Sequence, residues 1–84
     1  MPLVATVEAI RVELYFDDHP PPHFHACFAV FEARVEIGSG QVLNGSLPVA
    51  KQRALRAWLI AHRMEMLGAW DAVREGRKPR KIHG

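Results

Sequence analysis

Alternation of apolar and polar residues dominates the first half of the chain. Apolar side chains recur at every second position in three segments, which are residues 7–16, 23–29 and 31–37. Successive side chains of a β-strand point to opposite faces of the sheet, so each segment is predicted to be a half-buried strand. A short fourth strand is predicted at residues 41–43, between two glycine-containing turns.

The second and third segments are predicted to pair as a hairpin around Ala29-Val30. Counting outward from this loop places Phe28 opposite Phe31, Cys27 opposite Glu32, Ala26 opposite Ala33, His25 opposite Arg34 and His23 opposite Glu36. Apolar residues then face apolar ones and polar residues face polar ones, as a paired register requires. The loop residues are unusual, because two-residue turns favour Gly, Asn or Asp.

The second half of the chain has the spacing of an amphipathic helix. One stripe of mostly apolar side chains recurs there at steps of three and four residues, at Leu55, Trp58, Leu59, His62, Met66, Trp70 and Val73. This spacing predicts a helix over residues 48–75. Ser46 is the expected N-cap, and Gly76 is expected to end the helix.

The length of this helix raises a geometric question. A straight helix over residues 48–75 would span about 42 Å, whereas a ten-residue strand spans about 33 Å. We therefore expect the helix either to break near Ala61–Arg63 or to extend beyond the sheet. An extension would leave Met66, Trp70 and Val73 in need of a partner. This need, together with the thin core of an 84-residue domain, predicts a homodimer.

These elements predict one α+β domain over residues 1–84. Its expected core is an antiparallel meander of three or four strands, with one face covered by a long C-terminal helix that is continuous or broken. A composition of 49% hydrophobic and 24% charged residues is ordinary for a globular protein. No stretch predicts a membrane span or a signal peptide, so no membrane association is expected. Cys27 is the only cysteine, which excludes an intrachain disulfide and suggests the cytoplasm.

Charge is distributed unevenly along the chain. Residues 1–47 hold two Arg or Lys against six Asp or Glu, and residues 48–84 hold nine against three. A basic tail is expected at residues 76–84. The candidate contacts for nucleic acid or another anion are Arg74, Arg77, Lys78, Arg80 and Lys81. The alternative is a solvated tail that lies against the acidic half of the domain.

Three histidines within seven residues are the sharpest chemical signal. His23 and His25 would point to the same face of a strand, about 6.5–7 Å apart along the chain. With His19 and Asp18 they are candidate ligands for Zn²⁺, Ni²⁺ or Fe²⁺. Arg34 opposite His25 disfavours a divalent cation there, so we expect no tightly bound metal and no other cofactor. The alternative is structural: His23 pairs with Glu36, and His19 and His25 hydrogen-bond to the backbone of the proline-rich loop.

Catalysis by this histidine–proline loop is a second hypothesis. Two imidazoles, one protonated and one neutral, could act as acid and base on an RNA phosphodiester, with Arg34 or Lys81 stabilising phosphate charge. Cys27 is a poor nucleophile candidate, because Glu32 opposite it should raise the pKa of the thiol. The chain contains no complete catalytic motif, which favours a protein that is not an enzyme.

The polar side of the predicted sheet has two interpretations. Its expected members are Arg11, Glu13, Tyr15, His23, His25, Glu32, Arg34 and Glu36. A solvated sheet face opposite the helix is the simpler expectation. The alternative is a docking surface for a ligand or a protein partner.

The segment Asp18-His19-Pro20-Pro21-Pro22-His23-Phe24-His25-Ala26 resembles the signature of a bacterial family of unknown function, DUF4160. The resemblance continues through residues 31–37 and 42–48 to Trp58 and Trp70. The family has no established activity. Its members are often described as encoded beside a second small protein, which has suggested a toxin–antitoxin-like role. The resemblance therefore implies a non-enzymatic component of a two-gene module with a protein partner encoded nearby.

Overall fold

The computed structural model describes residues 3–16 and 19–84, and it confirms the α+β fold. Five strands form one antiparallel sheet in the order β1-β2-β3-β4-β5, and one long helix follows them. The elements are β1 (Leu3–Val7), β2 (Ile10–Glu13), β3 (His23–Phe28), β4 (Phe31–Glu36), β5 (Val42–Gly45) and α1 (Val49–Arg74). The sheet has one strand more than the largest number predicted.

The prediction of a single strand over residues 7–16 is wrong. The chain reverses at Glu8-Ala9, so that β1 and β2 form a hairpin with Val7 opposite Ile10. Both loop residues have positive φ, 47° and 69°, as a type I′ turn requires. Lys51 of the helix donates a hydrogen bond to the carbonyl oxygen of Glu8 at 2.8 Å, which supports this turn from outside.

The hairpin of β3 and β4 has the predicted register. All five predicted pairs are present, from Phe28 opposite Phe31 to His23 opposite Glu36. Ala29 in the loop has a φ of 51°, a conformation in which an L-residue other than glycine is uncommon. Register is therefore determined here by the pattern along the strands, since the loop sequence does not favour the turn.

Strand β5 lies at the edge of the sheet and carries a bulge. Asn44 is opposite Arg34, but Val42 is opposite Val35, so Leu43 is an extra residue on the β5 side. Gly45, expected in a turn, ends this strand with a φ of 79°.

The residues that cap α1 agree with the prediction only at its C-terminal end. Its N-cap is Pro48, without a side-chain hydrogen bond, so the prediction of Ser46 as the cap is wrong. Gly76, with φ of 77°, follows the C-cap residue Glu75 as expected. The amide of Arg77 bonds to the carbonyl oxygen of Ala72, which completes a Schellman motif.

The predicted break in the helix is present at His62. This residue has non-helical φ and ψ of −124° and 17° inside α1. Its Nδ1 donates to the carbonyl oxygen of Trp58 at 2.9 Å, and Arg63 Nε donates to that of Ile37 at 2.9 Å. A straight helix of this length would measure about 39 Å, more than the 33 Å longest dimension of the molecule. The kink keeps α1 on its sheet.

The second half of α1 belongs to the core of a single chain. Met66, Trp70 and Val73 are all buried, so the helix does not extend beyond the fold as one expectation held. The core joins this half of the helix to buried apolar residues of the strands. Helix α1 lacks an apolar stretch long enough to cross a membrane, and the described residues contain no other candidate span.

The C-terminal tail packs against the domain and is not freely solvated. The amide of Ile82 donates to the carbonyl oxygen of Val4 at 2.7 Å, beside the outer edge of β1. Pro79 and Ile82 are buried while the basic residues between them are exposed. One edge of the sheet is thus covered by the tail.

Candidate functional site

The histidine cluster lies where β3 begins. The ring centroids of His23 and His25 are 5.4 Å apart, so the two rings lie side by side on one face of the strand, as their spacing predicts. His25 stacks on Tyr15 at 3.8 Å with nearly parallel planes. His23 donates from Nδ1 to the carbonyl oxygen of Pro21 at 2.8 Å, whereas the structural interpretation gave the loop hydrogen bonds to His19 and His25.

Burial restricts what these rings can do. His23 and His25 are only 4% and 7% exposed, and the ring of His23 lies 5.4 Å from that of Trp70 on α1. The expectation of a solvated sheet face is therefore wrong at this end of the sheet. Buried aromatic contacts of this kind stabilise a fold and leave little room for a dissolved substrate.

The other residues proposed for this site are dispersed. His19 is exposed, and Asp18 lies outside the described residues. Arg34 lies opposite His25 as predicted, and it is exposed. Within residues 3–16 and 19–84, no group of three or more His, Cys, Asp or Glu side chains is arranged to hold a metal ion.

A second polar group occupies the middle of the same sheet face. Glu13 is 7% exposed, and its carboxylate lies 3.3 Å from Nε of Arg11. The thiol of Cys27 lies 3.9 Å from Oε1 of Glu13 and donates to it. Burial raises the pKa of this thiol, and the charges of Glu13 and Glu32 raise it further. The charge of Glu32 thus shifts this pKa in the predicted direction.

An open concavity, which we call the β5 groove, lies between the edge of the sheet and the first half of α1, and both apolar and polar residues line it. Its volume is about 440 Å³. The apolar lining residues include Val35, Val42, Leu47, Val49, Leu55 and Leu59, and two arginines, Arg53 and Arg56, also line it. Val49 is 63% exposed, so the apolar surface of the groove reaches solvent.

A second concavity, the tail groove, lies between the last turns of α1 and the C-terminal tail. Its volume is about 400 Å³. Four of the five predicted anion contacts line it, which are Arg77, Lys78, Arg80 and Lys81. The fifth, Arg74, is not among the lining residues, since its guanidinium lies 5.6 Å above the ring of Trp70. Sequence spacing identified these cations but not the cavity around them.

A comparison with known protein families identifies the family of this chain. The family model for a domain of unknown function, DUF4160, matches residues 9–71. The chain belongs to the DUF4160 family. No curated protein and no solved structure matches it. The DUF4160 match covers the histidine–proline loop and the β5 groove, whereas β1 and the basic tail lie outside it.

The β5 groove was missed by sequence reasoning. Arg53 and Arg56 are exposed and lie three residues apart on α1, which is the spacing of neighbours on one helix face. That spacing was available in the sequence. The sequence did not indicate which strand residues complete the groove, because this depends on how closely β5 approaches the helix.

Proposed function

We propose that this DUF4160 protein is a non-enzymatic interaction protein of the bacterial cytoplasm. In this proposal it binds a protein partner encoded nearby, as part of a toxin–antitoxin-like two-gene module. The observation that carries the proposal is the β5 groove, an open concavity at the edge of the sheet that six apolar residues help to line and that the tail does not cover. Concave apolar surfaces with a few polar groups are the usual form of a binding site.

The lining of the β5 groove indicates the chemistry of the partner. Its apolar residues can accept an aliphatic or aromatic side chain, and burial of apolar area stabilises such a contact. Arg53 and Arg56 add two positive charges to the same surface. We therefore propose that the partner inserts an apolar side chain flanked by carboxylates, which the two guanidinium groups bind.

The bulge on β5 affects how this partner can bind. An exposed sheet edge can accept an added strand from another protein, but a bulge bends the edge and disrupts the regular row of backbone groups. Leu43 interrupts β5 in this way and is 46% exposed. We propose that the partner binds by side-chain insertion into the β5 groove and not by strand addition.

The histidine cluster gives supporting evidence for a function other than catalysis. His23 and His25 are buried, and their rings pack against Trp70 and Tyr15, so both have a structural role available within the fold. Such packing is expected of residues that hold the proline-rich loop in place. The interaction hypothesis requires no reaction at this loop.

Co-expression with the product of the neighbouring gene tests the proposal. We expect the two proteins to purify together, and we expect co-expression to alter the growth effect of one of them. Val49→Glu places a carboxylate at the groove and should weaken the complex by about tenfold or more, a loss of about 1.4 kcal/mol. Ile60→Glu is the matched control, because Ile60 is 64% exposed on the same helix and does not line the groove.

The outcomes separate the parts of this proposal. No complex and no growth effect would overturn the interaction hypothesis. A complex that both variants leave unchanged, or weaken equally, would overturn the location in the β5 groove. Weakening by Val49→Glu alone would support both.

Self-association is a separate proposal. A homodimer was expected partly because Met66, Trp70 and Val73 needed a partner, and they are buried within one chain. The remaining support is the small size of an 84-residue core. Sedimentation equilibrium at micromolar concentration should give about twice the monomer mass of 9.5 kDa. A monomer mass at that concentration would contradict the dimer.

A further inference from the structure

The tail groove has a floor of small residues. Gly68, Ala69 and Ala72 contribute it from the second half of α1. No heavy atom outside the local helix backbone lies within 4 Å of where a side chain on Gly68 would begin. A ligand can therefore approach the helix closely at this point.

The opposite wall is a segment with a fixed backbone. The amide of Arg77 is bonded to the carbonyl oxygen of Ala72 at 2.7 Å, and the amide of Ile82 to that of Val4 at 2.7 Å. Trp58 Nε1 donates to the carbonyl oxygen of His83 at 2.8 Å. The cations between these anchors are thus presented by an ordered chain, which lowers the entropy lost when they bind a ligand.

Positive charge in the tail groove exceeds the nearby negative charge. Four cations lie within five residues, and Glu65 is the one carboxylate among the described lining residues. Glu75 lies 2.7 Å from Arg77 and neutralises it in part. Lys78, Arg80 and Lys81 form no ion pair with any residue in the described part of the chain. Like charges held this close repel, and a bound anion would relieve that repulsion.

We infer that the tail groove binds the phosphate groups of a phosphorylated ligand. Arginine and lysine side chains supply the charge-assisted hydrogen bonds that bind phosphate oxygens, and several cations match a ligand with more than one negative charge. The volume of about 400 Å³ is that of a small-ligand site. Among the described residues that line the groove none is aromatic, so phosphate is recognised without stacking on a base.

Two sources can supply this chemistry, a free nucleotide and the backbone of RNA. Isothermal titration with adenosine 5′-diphosphate and with a short single-stranded RNA lacking terminal phosphates distinguishes them. Binding of either probe should weaken as salt rises. In the amide NMR spectrum, the largest shifts should fall on Gly68, Arg77 and Lys78 and on residues 80–82.

Paired variants test the location of the phosphate site. Arg80→Gln with Lys81→Gln should weaken binding of the preferred probe by about tenfold. Arg53→Gln with Arg56→Gln is the matched control, because it removes two charges from the β5 groove and should change the affinity by less than about twofold. The folded state of each variant is checked from its amide spectrum.

The inference is overturned if neither probe binds at millimolar concentration in low salt. It is also overturned if both double variants weaken binding equally, since net charge would then explain the effect. Because the two grooves share no lining residue, loss of the protein partner and loss of phosphate binding are separately measurable.

Discussion

Trp58, in the middle of α1, donates a hydrogen bond from Nε1 to the carbonyl oxygen of His83 at 2.8 Å. The neighbouring Ile82 is 6% exposed, although it lies in a strongly basic segment. The tail is therefore part of the folded core.

Removing the apolar contact of Ile82 should destabilise the fold. We expect Ile82→Ala to lower the free energy of unfolding by about 2–4 kcal/mol, because it leaves a cavity under the tail. Urea denaturation followed by circular dichroism measures the change. Ile60→Ala deletes the same atoms from a side chain that is 64% exposed, and it should change stability by about 0.5 kcal/mol or less. Equal effects of the two variants would contradict docking of the tail.

Two glycines should respond to alanine in opposite directions. Gly45 has a φ of 79°, and a Cβ there would meet the backbone carbonyl of Glu32, so Gly45→Ala should cost about 2–3 kcal/mol. Gly68 lies within α1 with open space around it, so Gly68→Ala should stabilise the protein by about 0.5–1 kcal/mol. Thermal unfolding of both variants tests the prediction. A stabilising Gly45→Ala would show that β5 is not held against β4.

The raised pKa of Cys27 gives stability a defined dependence on pH. The unfolded thiol ionises near its ordinary pKa of 9.0, whereas the folded thiol holds its proton to a higher pH. Ionisation therefore favours the unfolded chain, and the stabilisation present at lower pH is lost as pH rises from about 9 through the folded pKa. Above pH 9, the unfolding free energy of Cys27→Ala should fall less steeply than that of the parent protein. Parallel curves for the two proteins would refute the effect.

The buried histidines should matter for stability. We expect His23→Ala and His25→Ala each to lower the free energy of unfolding by about 1–3 kcal/mol, because each removes a buried ring with aromatic contacts. His19→Ala is the exposed control and should change stability by about 0.5 kcal/mol or less. Full stability in both buried variants would argue against the structural role and reopen the catalytic one.

The sequence predicted the elements whose pattern is carried by many residues. The register of β3 and β4 follows from alternation along both strands, and it holds although Ala29 is a poor turn residue. The length of the helix predicted either a break near Ala61–Arg63 or an extension beyond the sheet, and the structure has the break, at His62.

The hairpin of β1 and β2 could not be predicted in the same way. Its loop, Glu8-Ala9, lacks the Gly, Asn or Asp that usually indicates such a turn. A bulge between Leu3 and Ala5 also breaks the alternation of β1, so its buried residues do not follow a period of two.

The sequence identified the histidines of the candidate site but not the side chains that bury them. The pattern placed His23 and His25 on one face, but the sheet face opposite a helix is normally solvated, and no local signal indicates that Trp70 and Tyr15 cover them. The β5 groove and the tail groove are formed by residues far apart in the chain, so their shapes depend on tertiary packing.

Because the tail is docked on β1, the folded domain extends beyond the residues that the family model matches. The DUF4160 match covers residues 9–71, so it omits β1 and the tail segment that hydrogen-bonds to it. A fragment trimmed to the matched residues would lose the buried side chains of Val4 and Ile82 and would turn β2 into an uncovered edge. Such an edge can recruit strands from other chains, so we expect a fragment trimmed in this way to aggregate more readily than the 84-residue chain.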